Sequence, residues 1–382
     1  MKREAGIATA SVWNRRGCEQ RSRVTRAACA LALVVAVAGS LPARAAPQSY
    51  QIFVTNEKSG DVTIIDGGDF KVVGTIQVGK RPRGIHVSSD GKTVYVATSG
   101  TPIEGPPPLD AAGNPILKKN AKSDDDDDDK AKADKSADGI SVLDVASRKV
   151  TGRIHAGSDP EEFALSTDGK HIYVSNEDTR TATVINTSSG KVEHIIPVGG
   201  EPEGAGVTPD GKQFYITCET GGEVFAIDAT TYKVVGHFTV PVRPRSVDFL
   251  SNANIGFIPS ESKSLLNVID TADPKVLKSI DLPAGSRPMK VKVAPDNKRI
   301  YVSDGRAGTV TVLDAQTYAV QGTVKVGTRP WGIVLSPDGK YLFSANGPSN
   351  DVSVVDLATN KEIAKVKAGD GPWGLTIVPG GH

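Results

Sequence analysis

From Tyr50 onward, apolar and β-branched residues gather in runs of about five, separated by turn residues and alternating with polar side chains. That is the period of strands, and no long segment keeps the 3.6-residue apolar period of a helix. The runs themselves repeat. A proline recurs at Pro82, Pro160, Pro202, Pro244, Pro288, Pro330 and Pro372, with spacings of 78, 42, 42, 44, 42 and 42. A second marker, Asp66, Asp144, Asn186, Asp228, Asp270, Asp314 and Asp356, closes apolar runs such as VTIID. The third opens on Phe53, Tyr95, Tyr173, Tyr215, Phe257, Tyr301 and Phe343, in runs such as YVSN.

Each unit reads as four short strands. In the last complete unit they cover residues 332–336, 341–345, 352–356 and 362–367. The S-x-D-G-K segment between the first two supplies tight-turn chemistry. A four-stranded repeat of about 42 residues is a β-propeller blade. The sequence therefore predicts an all-β fold, a seven-bladed propeller of four-stranded antiparallel blades. The chain enters on a second strand and ends on a first strand, residues 374–378. The two ends are expected to pair and close the ring, leaving no free edge.

Two segments stand outside the repeat. Residues 1–26 hold seven Lys/Arg against two Glu, and an apolar run of 15 residues and the Ala43-Arg44-Ala45 site follow. This is the pattern of a secretory signal peptide cut after Ala45, and the run is too short for an ordinary membrane span. Arg15-Arg16 raises a twin-arginine reading, but no apolar stretch follows directly. Removing residues 1–45 turns the formal charge from +1 to −5. The expectation is a single domain over residues 46–382, exported to the periplasm, monomeric, with no membrane span after cleavage. Its charge argues against a nucleic-acid partner.

The second segment, residues 99–137, lengthens the first gap between prolines by 36 residues. It is Pro-rich, then carries six consecutive aspartates flanked by lysines. A solvated, disordered loop is expected. A calcium site is the sharper alternative, but calcium loops space their ligands and turn on glycine. Cys218, unpaired once Cys18 and Cys29 are removed, reads as a small buried apolar residue.

The Y-V-x-N strand, the V-G-x-x-P link and the S-x-D-G-K turn resemble the YVTN family of bacterial β-propeller repeats. Asn56-Glu57, Arg81-Pro-Arg-Gly84, Asp159-Pro-Glu161, Asn176-Glu-Asp178, Glu201-Pro-Glu-Gly204 and Pro372-Trp-Gly374 look blade-specific. Their order is similar to that of the PQQ-dependent catabolism-associated β-propeller subfamily. More distantly, the pattern is similar to the d-type haem propeller of nitrite reductase and to lactonase propellers. It departs from the haem protein in lacking C-x-x-C-H and in having seven blades rather than eight. The resemblance implies a fold and an association with quinoprotein oxidation, with PQQ or haem as candidate ligands.

Candidate chemistry lies on the face that carries the proline links, because those loops vary while the turns opposite repeat. Arg81, Arg83, Arg243, Arg245, Arg287 and Arg329 flank the prolines, Trp331 and Trp373 follow two of them, and Glu161 and Glu203 form an acidic sector. One reading pairs these arginines with acids in rim salt bridges. The other is a mouth where arginine forks grip an anion and tryptophans cover a planar or apolar body. Four residues after each proline stand His86, Ala164, Gly206, Asp248, Lys292, Val334 and Thr376, a column expected to line the central channel. His86 is its one histidine, and no pattern suggests a metal site. No catalytic motif appears.

The function expected from these features is an exported non-enzymatic binding or scaffold protein. It would hold a small anionic ligand or a periplasmic partner and serve a PQQ-dependent alcohol-oxidation system. The alternative is a propeller enzyme of lactonase or lyase type on the same face.

Overall fold

The computed structural model describes residues 49–103 and 133–380. The expected signal peptide and the six aspartates lie outside them. The described residues form seven antiparallel sheets of four strands each, as the repeat predicts. Apart from two single 3-10 turns, Lys135–Ala137 and Glu261–Lys263, the regular structure among the described residues is all strand.

Ring closure is direct. The last strand, Pro372–Pro379, pairs antiparallel with the first, Tyr50–Asn56, in register Phe53↔Thr376 and Ile52↔Ile377. One blade is thus assembled from both ends of the chain, and the last element becomes an inner strand rather than an exposed edge. The core consists of seven apolar clusters, each shared by two neighbouring blades. Phe53 and Ile64 of one blade meet Ile85 and Val96 of the next, for example. A blade therefore buries its faces only when both neighbours are present.

The three sequence markers have distinct local causes. Each Asp or Asn of the second marker accepts backbone N–H groups two or three residues on: Asp66 from Gly68, Asp228 from Thr231, Asp356 from Thr359. This Asx turn joins the two outer strands. In S-x-D-G-K, the Ser336 hydroxyl donates to Asp338 while its oxygen accepts the Tyr341 N–H, so the turn carries its own partners. The third marker ends on a buried polar residue. Asn56, Asn176 and Asn346 donate Nδ2 to Thr63, Thr183 and Ser353 on the adjacent strand. Cys218 takes this place in one blade; it is fully buried, and burial pushes its thiol up to about 12.

Of residues 99–137, the two described ends are tied together. The Asp134 N–H donates to the Gly100 carbonyl at 3.0 Å, and Gly100 N–H donates to Asp138. The insertion thus leaves and rejoins the blade at one point.

Two predictions follow from closure and from the third marker. Deleting residues 371–382 exposes an edge and empties a blade, so the truncated protein should lose the single cooperative melting transition of the intact protein. Asp304 occupies the third-marker place held by asparagine in three other blades, and burial lifts it to about 6 against the hydrogen bonds from Thr311 and Thr309. An unfolded aspartate titrates near 4, so between about pH 4 and 6 the native state keeps a proton that the unfolded state has lost. Stability from this group therefore falls as pH rises through that window. Asp304→Asn should stabilise by on the order of 2–3 kcal/mol at pH 8 and by little at pH 4, read as denaturation midpoints at both.

Candidate functional site

The residue before every one of the seven prolines has a positive φ, from 43° at Arg81 to 72° at Gly371. Asp159, Glu201, Arg243, Arg287 and Arg329 adopt this left-handed backbone despite their side chains. In five blades its carbonyl accepts an N–H from the residue that follows the third marker, whereas in the Arg81 blade Ser99 donates to Lys80. Asp159 accepts from Glu177, Arg243 from Glu261, Arg287 from Gly305 and Gly371 from Glu57. Just after the proline, strand pairing slips, as between Pro160 and Phe163 and between Pro288 and Val291. Such a bulge re-aims side chains. It turns the residue after the proline into the mouth of the channel.

The mouth ring is thus Arg83, Glu161, Glu203, Arg245, Met289, Trp331 and Trp373, one residue per blade. Neighbouring blades hold it by hydroxyls: Thr55 donates to the Arg83 carbonyl and Ser303 to that of Trp331, each near 2.8 Å.

Two ion-pair clusters fill the charged sector. In the first, Arg83 bonds Asp159 and Glu161 and lies 4.0 Å from Glu177, while Arg81 bonds Glu57 at 3.1 Å and stands 3.9 Å from Asp159. In the second, Arg243 bonds Glu219 and Glu261, and Arg245 bonds Glu203, Glu219 and Glu261. The side chain of Arg83 is 1% exposed, so these are buried pairs rather than rim bridges. Four of the six arginines expected to flank an anion are therefore matched by acids. Arg329 lies over the Trp331 ring at 4.6 Å from its centroid, and Arg245 at 5.6 Å. Arg287 flanks Met289 on the same rim.

Electrostatics separates the carboxyls. Burial works against the charge of Arg83, but Glu161 and Asp159 more than offset it and keep the guanidinium protonated. Burial pushes Glu161 well above the usual carboxylate range, against the pull of Arg83, with Glu203 and Glu177 adding to the rise. Burial likewise lifts Glu177 to about 7, opposed by Arg83 and helped by Asp159 and Glu203. Glu161 and Glu177 lie in the same acid-rich cluster, and burial with neighbouring acids raises both. In the second cluster, burial is overcome by Arg245 and Arg243, and Glu261 falls to about 2.

The opposite sector is aromatic. Trp331 and Trp373 stack at 5.9 Å with 22° between planes, and both are half-buried. Glycines make this possible. A Cβ on Gly347 would lie 3.0 Å from Trp331 Nε1, and one on Gly305 would lie 2.8 Å from Met289 Cγ.

The acids Glu57, Glu177, Glu219 and Glu261 were not among the residues expected at the site. All four stand four positions after the aromatic of the third marker, where the remaining blades carry Ser99, Gly305 and Gly347. Reading that column beside the proline column would have found them: Glu261 faces Arg245, and Gly305 and Gly347 face Met289 and Trp331. His86 lies below the mouth in the channel, with its Nε2 3.0 Å from Glu162. Among the described residues no group of three or more His, Cys, Asp or Glu is arranged to hold a metal ion.

Comparison with known proteins finds two family models, each matching less than half of the chain. Residues 27–201 match the model of the choice-of-anchor I domain, and residues 204–370 match that of the seven-bladed β-propeller lactonases. The second half of the chain is lactonase-like. The chain is 28% identical over 138 residues to antigen Lp49 of Leptospira interrogans, a match covering 32% of this chain and 30% of that relative's length. Among solved structures, a putative 6-phosphogluconolactonase from Bacteroides fragilis is 18% identical with a TM-score of 0.67, covering 87% of this chain and 98% of that one. The periplasmic gluconolactonase of Pseudomonas aeruginosa is 17% identical with a TM-score of 0.65, covering 86% and 99%. At these identities the structures attest the fold. The expectation of a non-enzymatic scaffold is corrected by the lactonase match, which favours the enzymatic alternative.

The buried clusters make a clear stability prediction. Removing one partner of a buried pair strands the others, at a cost of about 3–5 kcal/mol. Arg83→Met should lower stability by that amount, whereas Glu201→Ala, at an exposed position, should change it by less than about 1 kcal/mol. Chemical denaturation of the two variants checks the difference.

Proposed function

We propose that the protein is a lactone hydrolase whose active site is the mouth ring. The observation that carries this reading is Glu177, which stands at the mouth 4.0 Å from Arg83 and is lifted to about 7 by burial, Asp159 and Glu203. Its side chain is 29% exposed at the mouth, so it can meet a water molecule. A carboxylate poised near neutrality is suited to general-base work, which contributes about 10²–10⁴-fold to a rate. The lactonase match of residues 204–370 supplies the reaction class.

In this reading the Glu177 carboxylate removes a proton from water as the water oxygen bonds to the lactone carbonyl carbon. Arg81, beside Asp159 and Glu57, faces the developing oxyanion. The ring C–O bond then breaks, and the leaving alkoxide takes a proton from the Glu161–Glu177 pair to give the hydroxy acid. The substrate class is a polyhydroxylated lactone. Its hydroxyls suit the carboxylates of Glu57 and Glu203, and its C–H face suits the Trp331–Trp373 wall. Because acids compensate the mouth arginines, a neutral ring fits better than the anion expected from sequence.

Export through residues 1–45 to the periplasm and a monomeric state belong to the same reading, supported by the basic stretch and apolar run at the N-terminus. So does the likeness of the repeat to YVTN propellers and their branch associated with PQQ-dependent catabolism.

The test is hydrolysis of glucono-1,5-lactone followed by pH-stat. The wild-type rate should rise as pH passes through about 7, because the base works deprotonated. Glu177→Gln should cut kcat by about 100-fold or more with the melting temperature kept. Equal rates in the two proteins would remove Glu177 from the chemistry, and no turnover of any lactone by the wild type would end the reading.

A further inference from the structure

The bulge that re-aims the residue after each proline also turns its neighbour inward. Glu162 and Lys290, two residues after Pro160 and Pro288, meet across the channel from different blades. Lys290 lines both the small cleft beneath the tryptophans and a separate cavity below it. The Glu162–Lys290 pair is therefore the floor of the mouth and the roof of the second space. That lower cavity has a volume of about 400 Å³, within the range of small-molecule sites. Its lining reaches Thr167, Thr208 and Pro209, in the turns of the face opposite the mouth. The whole channel column expected from sequence, from His86 to Thr376, lines it.

The charges in this cavity are presented unequally. Glu162 is 5% exposed and saturated, accepting from Lys290, His86 and the Phe163 N–H. Burial would raise its pKa, yet Lys290 and His86 hold it near 2, so it stays an anion turned away from solvent. Asp248 accepts the Val293 N–H at 2.9 Å and faces Lys292 at 3.5 Å. Lys292, by contrast, is 38% exposed and His86 37%. An ammonium has three N–H donors, and each lysine has one acid facing it. The spare donors point into a space otherwise walled by Val247, Ile333, Val334 and Leu375.

We propose that this lower cavity is a second ligand site, entered from the turn face, that binds a small organic carboxylate. Lys292 is its principal anchor, with Lys290 and His86 as further donors and the apolar wall taking the carbon skeleton. The arginines that sequence pointed to are neutralised in the layer above, and the available donors lie one layer below. That the carboxylate is the hydroxy acid released at the mouth rests on the proposed hydrolysis; the site itself does not.

The experiment is calorimetric titration of the wild-type protein with gluconate, and separately with inorganic phosphate. No lactone is present, so the result is readable whether or not the protein turns lactones over. Gluconate should bind saturably. Lys292→Gln should weaken it by about 10-fold, and Asp248→Asn, which keeps an acceptor for the Val293 N–H, should tighten it by freeing Lys292. Trp331→Leu, in the mouth wall and outside the lower cavity, should bind gluconate with at least half the wild-type affinity. Three results would overturn the proposal: no gluconate binding by the wild type, unchanged binding in both Lys292→Gln and Asp248→Asn, or tighter binding of phosphate than of gluconate. Loss of binding in Trp331→Leu with Lys292→Gln unaffected would move the carboxylate to the mouth and overturn it as well.

Discussion

Every blade of this propeller turns into the channel through one residue held at positive φ immediately before a proline. In six blades that residue has a side chain, at a cost of about 1–2 kcal/mol each. In five blades the carbonyl it exposes closes onto the N–H after the third-marker strand, so the local strain is spent on joining the first two strands at the mouth. The proline fixes its own φ and donates no N–H, so the ladder opens there and the bulge forms. Mouth ring, floor pair and lower cavity all follow from that pivot. Because it recurs seven times, the ring can be varied one residue at a time without moving the scaffold.

The charged half of the mouth shows what such variation can build. An arginine buried alone would be costly, and an acid buried alone would neutralise itself. Around Arg83 the acids outnumber the arginines, so Arg83 keeps its charge while Glu161 and Glu177 cannot both ionise. Around Arg245 and Arg243 three acids meet two arginines, against four around Arg83 and Arg81, and Glu261, bonded to both arginines, stays ionised. The same residue types thus give a proton-holding pair in one cluster and a fixed ionic clamp in the other. The difference is one of stoichiometry rather than of side-chain chemistry.

The architecture was legible in the sequence because the repeat is carried by turns whose chemistry is local. Asp66, Ser336 and their counterparts bond to backbone within a few residues, so spacing alone reveals them. The mouth was half legible. The proline column pointed to Arg83, Arg245, Trp331 and Trp373, but their partners sit on another strand about 16 residues later, as Glu177 does from Glu161. The pairing of those two columns is set by strand register, which a single column does not express. The inward turn of Glu162 and Lys290 was hidden for a different reason. Strict alternation along a strand sends neighbours to opposite faces, and only the bulge lets successive residues both face the channel.

The glycine half of the ring completes the logic. Where a blade carries Met289 or Trp331 after the proline, the facing column carries Gly305 or Gly347, and a Cβ there would press on the larger side chain. Where it carries Glu161, Glu203 or Arg245, the facing column carries glutamate. Volume is matched in the Met289 and Trp331 blades, but the blade of Trp373 carries Glu57 and that of Arg83 carries Ser99, so the charges are matched between neighbouring blades. Placing a glutamate opposite Trp331 would meet a clash, and placing a glycine opposite Arg245 would leave a buried guanidinium short of an acid. The wall and the charged arc are therefore locked into separate sectors. A ring-shaped guest at the mouth meets one flat apolar side and one polar side, a fixed orientation supplied by the scaffold before any ligand arrives.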